Sequence, residues 1–406
     1  MSTPPTSIER STLRDRLRGM AMIWLVLFAG VVPVAEAVTS GDAGDDAPGA
    51  DFVFWGTPYY ASDPCVRGTI VQLSMGILHA AAVLDGGDVV CWGGNFFGES
   101  NVPSDVGSGP SRIPAVQVSA GEGHTAAVLA DGSVRCWGEN EYGECTVPPW
   151  LGSPGHPVRS VHAAVYSTTA LMMDGSVVCW GNPAAADCDP ASVIPETGVQ
   201  RLSVGNTHTI GLMDDGSIRC WGDDFHGQCD IPEGIGDRGH RVIAIATGFS
   251  HSVVVLEDGS VRCWGDDTFG QISIPSGTGT PTRPAVAVAA GQAHTVLLHE
   301  DGSVACWGMN SAGQTDVPPS IADPGRKPVR PLIDVVARGL GSGAIRTPGV
   351  PCTGDLDRDA RVDGVDLGLI LLDWGGDGCR SDLDEDGLVG PGDLGLLLSY
   401  WGRCGS

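Results

Sequence analysis

The sequence predicts a mainly β protein, a closed seven-bladed β-propeller followed by a small module of two loop–helix units. Two observations predict the propeller. The tripeptide Cys-Trp-Gly recurs six times, and Phe54-Trp55-Gly56 is an earlier, seventh copy. Successive tryptophans lie 37 to 45 residues apart, a period typical of propeller blades. A third observation, an acidic segment duplicated at an interval of 27 residues near the C-terminus, predicts the separate module.

Each repeat predicts a set of short strands. In the clearest copy, apolar runs at 115–120 and 124–129 precede a third run at 134–138. Asp131-Gly132 separates the second and third runs, and this dipeptide favours a tight hairpin because both turn residues adopt positive φ. A turn and the run 147–149, which ends in two prolines, complete the unit. We therefore expect four strands per blade, the last being an edge strand.

The two ends of the repeat region complement each other. The first tryptophan copy, at 52–56, lacks the two strands that normally precede it, whereas residues 332–346 supply two strands and no tryptophan. We predict that the N-terminal segment completes the C-terminal blade. Six whole units and one shared unit then make seven blades, and the closed ring leaves no open strand edge between first and last blade.

One pattern within the repeats resembles a known family. Ala290-Gly291-x-x-His294-Thr295, followed by Asp301-Gly302-Ser303 and Cys306-Trp307-Gly308, is similar to the regulator of chromosome condensation repeat in its secreted bacterial form. The resemblance covers residues 51–349. It implies the propeller fold, but its members range from a nuclear exchange factor that docks on chromatin to a secreted inhibitor of β-lactamases. The fold therefore leaves the function open.

The N-terminus predicts export. Four arginines (Arg10, Arg14, Arg16 and Arg18) precede the apolar run 20–32, and Ala35-Glu36-Ala37 supplies a cleavage site. We predict a signal peptide at 1–37, an acidic linker at 38–50, the propeller at 51–349 and the second module at 352–406. The protein would then be secreted or bound to the cell surface, with no membrane span.

Charge excludes one class of partner. The formal net charge is −26, which repels nucleic acid and anionic lipid and argues against a chromatin role. The charge is sufficiently explained by solubility outside the cell, without any specific cationic partner.

Thirteen cysteines in an exported chain predict disulfides. Three repeats carry a second cysteine nine residues after the first, which suggests the local pairs Cys136–Cys145, Cys179–Cys188 and Cys220–Cys229. The other three Cys-Trp-Gly repeats have Ser100, Ile272 and Thr315 at that position, so Cys91, Cys263 and Cys306 would be free buried thiols. The alternative is that all of these cysteines are free.

Two rings of side chains recur around the propeller. His79, His124, His208, His251 and His294 occupy one position in five blades, and Ser167 and Gly341 stand there in the other two. A ring of histidines could suggest a metal site or proton relay. We interpret these histidines as structural, each bonded to backbone groups of its own blade, and the tryptophans as core.

After Pro351, two acidic loops share one spacing, and each precedes an apolar run that predicts a helix. Acidic residues at positions 1, 3, 5 and 12, with a carbonyl at position 7, form the oxygen cage of an EF-hand calcium loop. Position 9 is Asp363 in the first loop. In the second loop it is Gly390, where a water molecule would have to bridge to the calcium ion. The alternative is a solvated acidic linker. We predict two Ca²⁺ sites, with ligands Asp355, Asp357, Asp359, Arg361 (carbonyl), Asp363 and Asp366, and Asp382, Asp384, Asp386, Leu388 (carbonyl) and Asp393.

No helix precedes either loop, and in this the module resembles a dockerin, a calcium-dependent tether that docks on cohesin domains, often in polysaccharide-degrading complexes. The resemblance implies a cohesin-like partner. Two features depart from it: Ala360 replaces glycine at position 6, and Gly364-Val365 and Pro391-Gly392 stand where that family has a hydroxyl pair. Calcium binding therefore carries over better than cohesin docking. We also expect Cys352 and Cys404 to pair, leaving Cys379 over.

We found no nucleophile elbow, zinc-protease helix, phosphate loop or Cys/His constellation, so we name no catalytic residue. The sequence predicts a secreted binding or scaffold protein that recognises another macromolecule, a protein or polysaccharide, through propeller loops. The alternative is a component of an extracellular polysaccharide-degrading complex with carbohydrate-directed activity. Trp150 is a candidate anchor. The most variable connectors, where specificity is expected, are 103–114, 150–158, 233–241, 276–284 and 320–331.

Overall fold

The computed structural model describes residues 52–56, 69–182, 188, 198–236, 240–322, 331–346, 354, 356, 361–376, 381–383 and 388–403. The predicted signal peptide and acidic linker lie outside these ranges, as do Cys352, Cys379 and Cys404. No helix within the described ranges is long and apolar enough to cross a membrane.

Seven antiparallel three-stranded sheets form the blades of a propeller. In blades 1 to 6 an inner strand leads to a middle strand and then to an outer strand. Blade 1 consists of β2 (Ile70–Met75), β3 (His79–Leu84) and β4 (Val89–Gly93), and blade 2 of β5 (Ala115–Ala120), β6 (His124–Leu129) and β7 (Val134–Gly138). Blade 3 consists of β8 (Val158–Ala163), β9 (Ser167–Met172) and β10 (Val177–Gly181), and blade 4 of β11 (Val199–Val204), β12 (His208–Met213) and β13 (Ile218–Gly222). Blade 5 consists of β14 (Val242–Thr247), β15 (His251–Leu256) and β16 (Val261–Gly265), and blade 6 of β17 (Ala285–Ala290), β18 (His294–His299) and β19 (Val304–Gly308). A four-residue helix, α1 (Pro319–Ala322), follows blade 6.

Blade 7 is shared between the two ends of the chain. It combines β20 (Leu332–Arg338), β21 (Gly341–Arg346) and β1 (Phe52–Gly56). Strand β1 pairs with β21 in antiparallel register, which places Trp55 opposite Ser342. Strand β20 contacts the inner strands of both blade 6 and blade 1, so the ring is closed. The prediction of seven blades with a shared closing blade is confirmed.

The described part of each blade has three strands, where we expected four. The expected edge strand at 147–149 is irregular backbone. Pro148 and Pro149 have no N–H group to donate to a neighbouring strand, which explains why no ladder forms. The segment instead runs along the outside of the blade, and Val147 packs against the core beneath it.

The hydrophobic core is divided among the seven junctions between blades. The middle strands of blades 1 to 6 are buried along their whole length. Each junction has its own cluster of buried side chains, and each cluster contains one tryptophan, which confirms that these residues pack blade against blade. The seven are Trp55, Trp92, Trp137, Trp180, Trp221, Trp264 and Trp307.

The C-terminal segment forms a small core of its own. Helices α2 (Gly364–Leu372) and α3 (Pro391–Ser399) follow the two acidic loops as predicted, and β22 (Arg361–Val362) pairs with β23 (Gly402–Arg403). Val362 and Val389 are buried together in this core, as are Ile370 and Leu397. Each of these pairs is separated by 27 residues, so the duplicated sequence folds as two equivalent halves.

Candidate functional site

The propeller presents two different faces. On one, the turn between inner and middle strands lies beside the loop that follows each tryptophan, as where Gly94 N donates to Leu78 O at 2.7 Å. We call this the tryptophan-loop face, with tryptophan loops 94–101, 139–146, 223–230, 266–273 and 309–316. On the other, the hairpin face, the Asp-Gly hairpins lie beside the connectors between blades, as where Ala115 N donates to Gly87 O at 2.8 Å. The connectors predicted to carry specificity therefore end on the hairpin face.

The inner strands surround a central channel, and their free edges are bonded by side chains of the preceding blade. The Gln72 amide accepts from Val118 N at 2.9 Å and donates to Val118 O at 3.1 Å. Arg338 of blade 7 reaches across the channel, where its guanidinium donates to Val204 O at 3.1 Å and to Ala163 O at 3.4 Å. Nothing in the sequence indicated this crossing.

Every inner strand carries a β-bulge at its second residue, on the hairpin side of the channel. A bulge leaves one residue without a partner and turns it away from the ladder. That residue is Arg159 in blade 3 and Gln200 in blade 4. In the other five blades, which are consecutive around the ring, the bulge residue is β-branched and 41–56% exposed. We call these five residues the apolar crescent: Ile243, Val286, Ile333, Val71 and Val116.

A shallow cleft lies on the same face beside blade 3. Trp150 is 44% exposed, and its ring meets that of His156 edge-on, with centroids 5.2 Å apart. Met173 and Asp174 line the other side of a cleft of about 530 Å³. The structure therefore places the predicted anchor Trp150 on an open surface, next to the exposed Met173.

The ring of histidines is structural, but its partners differ from our expectation. The Nε2 of His124 lies 2.9 Å from the hydroxyl of Thr168 in the next blade, and that hydroxyl donates to Glu144 O at 2.8 Å. Because the hydroxyl gives its only proton to the carbonyl, the histidine must donate from Nε2. Trp180 Nε1 donates to the same carbonyl at 2.8 Å. The histidines therefore join neighbouring blades rather than bonding within their own.

The same arrangement recurs around the ring, with histidine-to-hydroxyl distances of 2.7–3.2 Å. Blade 7, which has Gly341 in place of histidine, faces Ala80, so both partners are absent together. The other pairs are His79–Thr125, His208–Ser252, His251–Thr295 and His294–Ser342.

All three predicted disulfides between neighbouring cysteines are present. Cys136–Cys145, Cys179–Cys188 and Cys220–Cys229 have Cα separations of 4.9, 5.4 and 5.3 Å. Each ties an outer strand to the segment after its tryptophan. Among the cysteines that the structure describes, Cys91, Cys263 and Cys306 form no disulfide. Burial raises the pKa of each of these thiols to about 12, so they behave as apolar side chains.

The structure describes part of the predicted calcium ligand set. Asp366 is buried, and its carboxylate accepts from Leu356 N at 2.6 Å and from Asp363 N at 2.7 Å. Asp393 makes the equivalent bonds to Leu383 N and Gly390 N. Arg361 and Leu388 are exposed, and Asp382 is buried. Asp355, Asp357, Asp359, Asp384 and Asp386 lie outside the described residues, within which no cluster of three or more His, Cys, Asp or Glu could hold a metal.

Comparison with known proteins agrees with this architecture. Five segments match the family model of the regulator of chromosome condensation (RCC1) repeat: residues 70–99, 115–144, 199–228, 242–271 and 285–314. They correspond to blades 1, 2, 4, 5 and 6. The chain is therefore a β-propeller that carries RCC1 repeats. No curated protein sequence matches it significantly.

Solved structures show the same fold. Prp20p from Saccharomyces cerevisiae is 18% identical with a TM-score of 0.58, over 78% of this chain and 94% of that one. Human WBSCR16 is 15% identical with a TM-score of 0.55, over 70% and 88%. The CRINKLY WD40 ectodomain of the Arabidopsis thaliana receptor kinase ACR4 is 20% identical with a TM-score of 0.51, over 70% and 95%. At these identities the likeness establishes the fold alone.

Proposed function

We propose that the chain is a secreted protein-binding propeller, held at a surface or in a complex by a calcium-dependent module that resembles a dockerin. The observation that carries the binding function is the apolar crescent. Five consecutive blades expose a β-branched side chain around the same opening. Soluble proteins seldom leave contiguous apolar side chains exposed unless another surface covers them.

Other features of the hairpin face support a protein partner. Trp150 and Met173 extend the apolar surface beyond the crescent, and tryptophan is a favoured anchor in protein interfaces. The variable connectors end here, where a rigid scaffold would present them. A yeast relative of the same fold, RCC1 (Prp20), has been solved bound to Kap60.

The three disulfides favour an oxidising compartment, in agreement with the predicted signal peptide.

The binding role of the crescent can be tested with one triple variant in which serine replaces Ile243, Val286 and Ile333. These side chains are exposed, so the fold should persist while partner affinity falls about tenfold or more through lost apolar burial. The matched control, Phe96→Ser with Phe225→Ser, removes exposed apolar side chains from the opposite face. The measurement compares proteins of the producing cell's envelope and medium retained by each immobilised variant.

We expect a partner that the wild type and the control retain and the triple variant loses. Equal retention by all three proteins would refute the assignment of the binding surface to the crescent.

The residues of the C-terminal module fit a calcium ion. The predicted ligands are carboxylate and carbonyl oxygens, the donors that Ca²⁺ prefers. Asp366 and Asp393 end the two loops as equivalent buried carboxylates, each already oriented by two backbone N–H groups. A buried carboxylate needs compensation by hydrogen bonds or by a cation. Bound calcium would supply the compensating positive charge. The ion would also hold each loop against the start of the helix that follows it.

Calcium dependence predicts that a chelator unfolds residues 352–406 and leaves the propeller folded. The helical signal in circular dichroism should fall, while the main melting transition of the β-propeller stays in place. Asp355→Ala combined with Asp382→Ala should reproduce the effect without chelator. An unchanged helical signal after chelation would show that the module is a calcium-independent acidic segment.

A further inference from the structure

Aromatic side chains are exposed on the tryptophan-loop face, away from the apolar crescent. Phe225 is 85% exposed and Phe96 78%, and Phe97 and Phe269 are about half exposed. They stand four or five residues after the tryptophans of blades 1, 4 and 5. Between them, Tyr142 and Tyr166 of blades 2 and 3 meet edge-on with ring centroids 5.2 Å apart. Five consecutive blades thus contribute aromatic rings to one face.

The tryptophan loops do not need these rings to fold. In blade 5, the buried Gln271 side chain accepts from Phe269 N at 2.8 Å. Blade 6 makes the same bond, from Ala312 N to the Gln314 side chain at 2.8 Å, although its loop has Ser311 and Ala312 in place of aromatic residues. The loop conformation therefore does not require an exposed phenylalanine, and its presence indicates a surface that another molecule covers.

The charge of this face is also distinctive. The five tryptophan loops contain many carboxylates and no lysine or arginine. On the hairpin face, by contrast, some of the carboxylates pair with arginines, as in Arg135–Asp105 at 2.8 Å and Arg283–Asp301 at 3.6 Å. The carboxylates of the tryptophan loops therefore have no lysine or arginine within their own loops to offset their charge. The acidic residues of its loops are Glu99, Glu139, Glu141, Glu144, Asp223, Asp224, Asp230, Asp266, Asp267 and Asp316.

Blade 2 lacks a hydrogen-bond donor that blade 5 has. In blade 5, Gln271 Nε2 donates to the carboxylate of Asp266 at 2.8 Å. Blade 2 has Glu144 and Glu139 at these two positions, so the donor is replaced by a second carboxyl group. Glu144 is fully buried, and its Oε1 has no hydrogen-bond partner among the residues that the structure describes. Burial and the charge of Glu144 raise the pKa of Glu139 to about 7.

We propose that the tryptophan-loop face binds an arginine-rich polypeptide segment. A guanidinium group stacks on aromatic rings and donates paired hydrogen bonds to carboxylates, so it matches both features of the surface. Anionic polymers are repelled by the same charges, and a neutral ligand would leave the carboxylates without partners. This surface is separate from the hairpin face and does not depend on the function proposed there.

The test uses the full chain and a fluorescent ten-residue peptide of alternating arginine and glycine, with anisotropy measured at 150 mM salt. Glu141→Gln, Asp224→Asn and Asp267→Asn together should weaken binding about tenfold. The matched control, Asp214→Asn, Glu257→Gln and Glu300→Gln, neutralises three exposed carboxylates at the hairpins, and should change the affinity less than twofold. Phe96→Ser with Phe225→Ser should weaken binding about tenfold through lost stacking.

The outcomes are distinct. Equal losses in both charge variants would show attraction to net charge alone, and would overturn the proposal. So would the absence of binding by the wild type, or an unchanged affinity in the phenylalanine variant. Melting curves identify any variant that fails to fold; for the phenylalanine variant we expect none, because blade 6 forms its loop with serine and alanine.

Discussion

At the scale of single residues, the glycine of the repeat leaves room for the histidine ring in blades 5 and 6. A Cβ atom on Gly291 would lie 2.0 Å from Cε1 of His294, and on Gly248 it would lie 2.2 Å from Cε1 of His251. Blade 3 has Ala164 at the glycine position and Ser167 at the histidine position. In blade 3 the two replacements occur together, which is what we expect where a methyl group takes the space that the imidazole ring fills in blades 5 and 6.

This coupling predicts a non-additive double mutant. Gly291→Ala should lower the free energy of unfolding by about 2 kcal/mol, because the methyl group overlaps the buried imidazole. In a His294→Ser background the same change should cost less than half as much, since it recreates the arrangement of blade 3. Urea unfolding of the four proteins measures the coupling. Additive free energies would mean that the ring does not require glycine.

At the scale of elements, the junction between two blades is held by a shared carbonyl group. At the junctions of blades 2 and 3, 4 and 5, 5 and 6, and 6 and 7, one loop carbonyl accepts from a hydroxyl and from an indole of the next blade. That hydroxyl in turn accepts from the histidine of the preceding blade. The histidines must stay neutral in this position, because charging them inside the protein is costly. Burial lowers the pKa of His79 and His208 to about 4, and of His124, His251 and His294 to about 3.

These shifts predict that stability falls as the pH falls below about 6.5. A histidine in the unfolded chain titrates near 6.5, so between pH 6.5 and 4 the unfolded state binds more protons than the folded state. The contribution is complete above that range, and each histidine removes up to about 1.4 kcal/mol per pH unit within it. Glu122, Glu139 and Asp334 have raised pKa values through burial, and act in the opposite direction. Urea unfolding from pH 5 to 8 measures the slope.

The histidine variants provide the control for that slope. His208→Ser should reduce the pH dependence by about one proton, because it removes one of the buried imidazoles. His240→Ser, which removes an exposed histidine, is the matched control. A stability that is flat across this range, or equal effects of both variants, would contradict the role given to the buried ring.

At the scale of the whole molecule, ring closure rests on five N-terminal residues. Strand β1 supplies Trp55 to the core between blades 6 and 7, and Phe52 to the core between blades 7 and 1. Trp55 Nε1 also donates to Gln314 O at 3.0 Å, across 259 residues of sequence. Closure therefore joins the two most distant parts of the propeller chain.

Trp55→Ala should destabilise the propeller by about 3–5 kcal/mol, since it removes a buried aromatic side chain and opens a cavity at the closing blade. Trp150→Ala removes an equally large but exposed side chain, and should change stability by less than about 1 kcal/mol. Thermal and urea unfolding compare the two. Equal effects would mean that the closing strand adds little to the ring.

Features with a regular period along the chain were predictable. The spacing of the tryptophans implied the blade count, the incomplete end repeats implied the closing strand, and paired cysteines nine residues apart implied the three local disulfides. The fourth strand was a wrong prediction, because an apolar run ending in two prolines lacks the donors for a ladder. The aromatic residues after the tryptophans were visible in the sequence, but their exposure was not.

The amino-acid order was sufficient to define the blades, since each strand, turn and cysteine pair depends on residues close together within one repeat. It also indicated the closing blade, because the repeats at the two ends are incomplete in complementary ways. It could not define how blades meet. The bulges that expose the apolar crescent, the bond from each histidine to the next blade, and the path of Arg338 across the channel all join residues that are remote in sequence. Such contacts exist only after the ring forms, because it is the ring that brings them within bonding distance.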